Sequence, residues 1–171
     1  MLQLSAGRCA MIPRKASEAE DWEAIRELIL RAFAFMEGRI DPPSSAHRLT
    51  PEAIARQARE GEVWLMGDPA VACLFLTPLP QALYLGKMAV EPALQGQGLG
   101  RVLMALAEDR ARALGLPALE LETRIELVEN QAAFRAMGFT QVAAKAHPGF
   151  DRPTSLTFRR ALGPAPARAR G

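Results

Sequence analysis

Two cysteines, two histidines and a single tyrosine are spread through 171 residues, and each scarcity removes a class of chemistry. Cys9 and Cys73 fit no zinc-ligand spacing and are expected to be buried or incidental thiols of a reducing compartment. His47 and His147 also lie far apart, and no H-E-x-x-H occurs, so no metal site is expected. No apolar run approaches the roughly 18 residues of a membrane-crossing helix. Residues 1–10 have neither the basic start nor the apolar stretch of a secretory signal. A soluble, cytoplasmic chain with no membrane partner is the expectation. The net charge is only +2 and the bases are interspersed with acids, which argues against a nucleic-acid partner, because a binding stripe clusters Lys and Arg on one face. What remains is ordinary globular composition, 49% hydrophobic and 23% charged, in a length that suits one domain.

The most informative stretch runs from Leu85 to Arg101, an apolar segment leading through Glu91-Pro92 into glycines at 96, 98 and 100. Glycine lets the backbone bend sharply and bring its N–H groups close to a ligand. Leu99, Val102, Leu103, Leu106, Ala113 and Leu114 then follow at largely helical spacing, so the unpaired N–H groups of a first turn would lie at the glycines, a place suited to phosphate. Spacing separates the phosphate-binding readings. A dinucleotide G-x-G-x-x-G fails because Arg101 occupies the sixth position from Gly96, and a Walker loop fails because Gly86-Lys87 is followed by Met88. Gln95-x-x-Gly98-x-Gly100 after a strand resembles the acyl-CoA pyrophosphate loop of the GNAT N-acetyltransferase superfamily. The alternative is a glycine-rich turn that holds nothing.

Before this stretch, Cys9 to Pro13 suits a short first strand. Ser17-Glu18-Ala19-Glu20 reads as a capping box ahead of a helix whose apolar stripe is Trp22, Ile25, Leu28, Ile29, Phe33 and Met36, closing at Gly38. Residues 39–49 are too rich in proline for a helix and form a candidate functional loop. Thr50-Pro51 opens a second helix that ends by Gly61. Residues 62–66 and 70–76 read as a hairpin around Gly67-Asp68-Pro69, and 82–90 as the next strand. After the helix from about Gly98 to Gly115, residues 118–124 alternate, with Leu119 and Leu121 on one face and Glu120, Glu122 and Arg124 on the other. A short helix over 131–137 and strands at 139–144 and 155–160, joined by a loop over 146–154, complete the order. Residues 163–171 are low-complexity and expected to be a disordered tail.

The order β-α-α-β-β-β-α-β-α-β-β suits a mixed α/β fold, and it is the order of the GNAT fold. The resemblance covers about 11–162, leaving 1–10 as an extension. Glu129 to Phe139 is similar to the family's second signature of Asn, an aromatic and Gly-Phe. It implies a mixed, mostly antiparallel sheet flanked by about four helices, and an enzyme that transfers acetyl from acetyl-CoA to a primary amine of a small molecule or peptide. By the same likeness Gln95, Gly96, Gln97, Gly98, Leu99, Gly100 and Arg101 hold the cofactor's pyrophosphate. Met88, Ala89 and Val90 pair with its pantetheine arm, with Asn130 and Phe134 beside it.

Glu122 is the candidate base, in a Leu-Glu-Thr-Arg strand that resembles the base-bearing strand of the ribosomal-protein N-terminal acetyltransferases. A solvated face for Glu120 and Glu122 is the competing reading, as a helix N-cap is for Asn130. Where the family commonly has a tyrosine to protonate the leaving thiolate, this chain has Phe134, and Tyr84 is not in that register. A non-catalytic acyl-CoA binder is therefore the second reading. Acids such as Asp41 or Asp151 could attract a cationic acceptor, and a homodimer is left open.

Overall fold

The computed structural model describes residues 11–164, so the expected extension, and all of the expected tail but 163 and 164, lie outside the described residues. In chain order the elements are β1 (Arg14–Lys15), α1 (Trp22–Phe33), α2 (Pro51–Glu60), β2 (Glu62–Met66), β3 (Ala72–Pro78), β4 (Leu83–Val90), α3 (Leu99–Ala113), β5 (Ala118–Arg124), α4 (Val128–Ala136), β6 (Thr140–Lys145) and β7 (Ser155–Ala161). The strands form one sheet in the order β1-β2-β3-β4-β5-β7-β6, antiparallel at every pairing except β4 with β5. The expected mixed, mostly antiparallel sheet with four helices is what forms.

Period-two alternation divides the core between the two faces of the sheet. Ala72, Leu74 and Leu76 of β3 pack in one cluster with Leu103, Met104, Ala107 and Ala111 of α3. Cys73 and Phe75, the intervening residues, pack with Ile25, Leu28 and Ile29 of α1 and Ile54 of α2. β4 breaks this regularity. Cys73 faces Ala89 but Phe75 faces Gly86, so two residues of β4, Lys87 and Met88, oppose Leu74 alone, and Lys87 takes φ +45°. The bulge switches the parity of the strand. Leu83 and Leu85 belong to the α3 side, whereas Ala89 belongs to the α1 side and Met88 and Val90 pack on the α3 side.

Several boundaries differ from expectation for identifiable reasons. Met11 to Pro13 lie in no strand, and β1 starts at Arg14. Ser17 N–H and hydroxyl do reach Glu20, at 3.0 and 3.3 Å, but they close a turn before the helix; Asp21 is the N-cap, accepting from Ala24 N at 3.0 Å. Glu20 is held instead by Arg14 at 2.6 Å. β3 begins two residues late because Gly67, at φ +83°, turns the chain and Val71 N–H bonds Met66 O at 2.8 Å. On α3 the buried line is Leu103, Met104, Ala107 and Ala111, while Val102 and Leu114 face outward. α4 opens at Val128 with Leu127 as N-cap. Asn130 is therefore inside the first turn, and the N-cap reading of it fails.

One ion pair fastens α3 to β2. Glu62 is 6% exposed and accepts from Arg110 at 2.9 and 2.6 Å and from the Trp64 indole N–H at 2.6 Å. Burial pushes its carboxyl up, but the hydrogen bonds from Arg110 and Trp64 outweigh burial and hold it below its ordinary 4.5. Arg110→Ala strands a buried carboxylate, so it is expected to cost about 3 kcal/mol of unfolding free energy at neutral pH. Because the folded pKa is depressed, this contribution is present above the ordinary value and lost as pH falls through the folded one. Urea melts of the two proteins should begin to approach each other as pH falls past 4.5 and converge only below the lower folded value; equal stability at pH 7 would refute the role of the pair.

Candidate functional site

β4 and β5 pair only between Leu83–Leu85 and Leu119–Leu121. Past Leu85 the bulge bends β4, and the two parallel strands part around a cavity of about 690 Å³. Tyr84 to Val90 line one wall and Leu121 to Arg124 the other, with Leu127, Asn130, Ala133 and Phe134 at one end. Phe33, Phe35, Met36, Ile40, Ser44 and Ser45 contribute from the end of α1 and the loop after it, and His147 from the β6–β7 connection. β3 satisfies one edge of β4, but from Gly86 to Val90 no strand among the described residues covers the other. A free strand edge inside a cavity can accept an extended chain by backbone pairing.

The glycine loop continues from that edge. A 3₁₀ turn at Pro92–Leu94 follows the strand, and Gln95 Nε2 donates to Val90 O at 3.2 Å. The Gln95 side chain is thus spent on shaping the turn. Gly96 and Gly98 take φ +79° and +89°, left-handed values that favour glycine. Gly98 is the N-cap of α3 and supplies no side chain, unlike Asp21 of α1 or Thr50 of α2, which accept from Ala24 N and Ala53 N. The first-turn N–H groups of a 15-residue helix are left without a side-chain cap, at the positive end of its dipole. A Cβ built on Gly96, Gly98 or Gly100 meets nothing within 4 Å. A diphosphate suits such a cradle in charge, donors and space. Of the expected cofactor residues, Met88, Ala89, Val90, Gln95, Asn130 and Phe134 line the cavity. Gly96, Gln97, Gly98, Leu99, Gly100 and Arg101 form the adjoining loop and first turn.

The two carboxylates of β5 part company. Glu120 is 8% exposed and bonded to its cross-strand neighbour Arg159 at 3.1 and 2.5 Å, so the solvated-face reading fails for it. Glu122 lines the cavity and its Oε1 accepts from Lys145 Nζ at 2.6 Å, a bond that raises the Lys145 ammonium above its ordinary value. Phe134 has its ring edge-on to Phe139, with centroids 6.0 Å apart, and tilted against Phe158. Asp41 and Asp151 do not line the cavity, and Asp41 pairs with Arg152 at 3.5 Å. Neither is therefore placed to touch an acceptor inside the cavity.

Four further polar residues line the cavity. Lys87 reaches Ser45 Oγ at 2.7 Å, and burial, then Arg124 and Arg48, lower its ammonium pKa. Arg124 donates to Pro43 O at 3.1 Å. His147 Nδ1 lies 2.5 Å from Thr154 Oγ1, and burial followed by Arg124 pulls the ring below its ordinary 6.5. Tyr84 is pushed up to about 12 by burial and by the charges of Glu122 and Glu120. Alternation along β5 already set Arg124 on the face of Glu122. For Lys87 no comparable signal exists, because the bulge that redirects it has no sequence mark beyond Gly86.

Residues 22–139 match the pattern of the Acetyltransferase (GNAT) family. The chain is 30% identical over 149 residues to the IAA acetyltransferase of Azospirillum brasilense, across 86% of this chain and 96% of that one. It is 34% identical over 107 residues to the mycothiol acetyltransferase of Beutenbergia cavernae, across 54% of this chain and only 35% of that protein, so it spans about a third of that relative. Among solved structures, the PaiA N-acetyltransferase of Thermoplasma acidophilum in complex with coenzyme A shares the fold with a TM-score of 0.72, covering 90% of this chain and 99% of that one at 13% identity.

Tyr84 is the only tyrosine, so ultraviolet absorbance reads one phenol. In the folded protein it is expected to ionise near 12 in place of 10. Its neutral form therefore supports folding below pH 10, and that support fades as pH rises through the folded value. Glu122→Gln should bring the native titration down, since the Glu122 charge helps to hold it up. A native titration at 10 would contradict the burial of Tyr84 beside Glu122.

Proposed function

The chain belongs to the GNAT acetyltransferase family, and from that premise we propose that its residues transfer acetyl from acetyl-CoA to an amine in the cavity between β4 and β5. The observation that carries this reading is the parting of the two parallel strands beside an uncapped, glycine-led helix. Bound acetyl-CoA supplies an activated thioester carbonyl. The N–H groups around Gly96 to Arg101 hold its diphosphate, each a charge-assisted hydrogen bond. The open edge of β4 from Met88 to Val90 holds the pantetheine arm, and a backbone N–H there donates to the carbonyl oxygen, where negative charge develops.

Glu122 takes the proton of the incoming ammonium. Lys145 Nζ, 2.6 Å from its Oε1, already occupies the station such an ammonium would use. Phe134 gives no proton, but a thiol ionises near 8.5 or so, and its thiolate is a tolerable leaving group at neutral pH without an acid. Cys73, buried and pushed up to about 12, is inert, which suits the reducing cytoplasm as the site of action.

Two experiments test the assignment. Gly100 has no positive φ and an empty surround, so Gly100→Val should fold normally yet weaken CoA binding by calorimetry at least about tenfold. Unchanged affinity would remove the diphosphate from this loop. Glu122→Gln should lower kcat/KM by roughly 10² to 10⁴ while CoA affinity stays put. Turnover is read as free CoA thiol, which also separates an enzyme from a non-catalytic acyl-CoA binder; wild-type turnover in the variant would return Glu122 to a surface ion pair.

A further inference from the structure

We propose that the acceptor carries a carboxylate as well as its amine, and that Arg124 and Lys87 bind this carboxylate inside the cavity. The inference rests on the acetyl-transfer reading above and adds the substrate class. Both cations line the cavity, one on each of the strands that part. Among the described residues neither makes an ion pair. Lys87 is bonded to the neutral Ser45 hydroxyl, and Arg124 spends one N–H on the neutral carbonyl of Pro43. The other terminal nitrogen of Arg124, Nη1, is buried without a hydrogen-bond partner. A buried guanidinium donor left unmatched is costly unless something supplies an acceptor, and the guanidinium fork fits a planar carboxylate.

The surrounding charges point the same way. Arg48 is near enough to pull down the pKa of Lys87, Arg124 and His147 alike, and Arg124 does so to Lys87 and His147. The cations therefore crowd one another. Of the nearby acids, Glu122 holds Lys145 and Asp41 pairs with Arg152, while Glu126 accepts from the Asp41 N–H at 3.3 Å, keeps its other oxygen buried without a hydrogen-bond partner, and attracts Arg124 by its charge without forming an ion pair with it. An anion between Arg124 and Lys87 relieves this repulsion, whereas a second cation on the acceptor worsens it. The bulge that puts Lys87 here also forces it to φ +45°, the one positive φ on a non-glycine residue among those described, and strained backbone of this kind collects at ligand sites. Glu122 lies two residues before Arg124 on the same face of β5, so a short aminocarboxylate reaches both, its ammonium at Glu122 and its carboxylate at Arg124.

The test uses matched pairs: glycine with glycinamide, β-alanine with β-alaninamide, and γ-aminobutyrate with its amide, alongside putrescine as a dication. Two readouts are taken, calorimetric binding to the CoA-loaded protein and release of CoA thiol from acetyl-CoA. At least one acid is expected to bind about tenfold to a hundredfold more tightly than its amide, the range of a charge-assisted hydrogen bond. Arg124→Gln and Lys87→Asn should each shrink that ratio toward one, chiefly through KM, and Arg124→Lys should restore part of it. Asn tolerates the left-handed backbone at 87, so Lys87→Asn keeps the test valid if the Arg124 variants fail to fold. Amides or putrescine bound as well as the acids, or an acid preference that survives in Lys87→Asn and in every Arg124 variant that folds, would overturn the proposal while leaving acetyl transfer standing. Acids that bind through Arg124 or Lys87 without any thiol release would uphold the carboxylate site and defeat the catalytic reading instead.

Discussion

One extra residue in β4 governs this molecule. Side chains of a strand alternate with period two, so an insertion of one sends every later residue to the opposite face. Were β4 regular, Ala89 would share a face with Leu83 and Leu85 against α3; the bulge at Lys87 and Met88 sends it to the α1 side. The same bend ends the pairing with β5 at Leu85. Cavity, free backbone edge and inward lysine are three results of a single irregularity, bought with a left-handed lysine at roughly 1 to 3 kcal/mol of strain.

That strain has to be opposed locally. Cys73 Sγ donates to Lys87 O at 3.5 Å, and Lys87 Nζ is tied to Ser45. Ser45 belongs to the loop after α1, which is anchored by Ala46, 1% exposed among the residues of α1 and β3. From there the loop crosses to the far wall. Arg124 bonds Pro43 O, the Asp41 N–H bonds Glu126, and Arg39 meets Glu129 at 2.5 Å. Contacts of this kind at the surface contribute little to stability. The loop is thus fixed firmly at Ala46 and weakly at its crossing.

The legible parts of the sequence were those with local causes. Thr50-Pro51 caps and opens α2 as read, since both the hydroxyl bond and the proline preference lie within one turn. Gly98 opens α3 because only a left-handed residue turns the chain there. Where two local signals compete, the reading slips. Ser17 and Glu20 do make their contact, but Arg14 claims Glu20 across the turn and Asp21 takes the cap. Glu120 and Glu122 look alike in sequence, and only the register of β7 beside β5 puts an arginine opposite the first and a threonine opposite the second. The charge of the cavity was unreadable for the same reason: Lys87, Arg124 and Arg48 come from three distant segments and meet only in the fold.

Phe134 joins the legible and illegible halves. Its place in the second signature says where a proton donor usually stands, and its packing shows an apolar ring in that place. The ring touches Phe139 and Phe158 beneath the cavity's end, both of them core residues at most 1% exposed. Phenylalanine gives the cavity an apolar wall at this end. On the proposed reading the loss on the catalytic side is small, because a thiolate is already a fair leaving group near neutrality and the harder task is removing a proton from the amine. The selective weight of the site would then fall on the opposite wall, where Glu122 and Arg124 lie two residues apart on β5, across the cavity from the lysine of the β4 bulge.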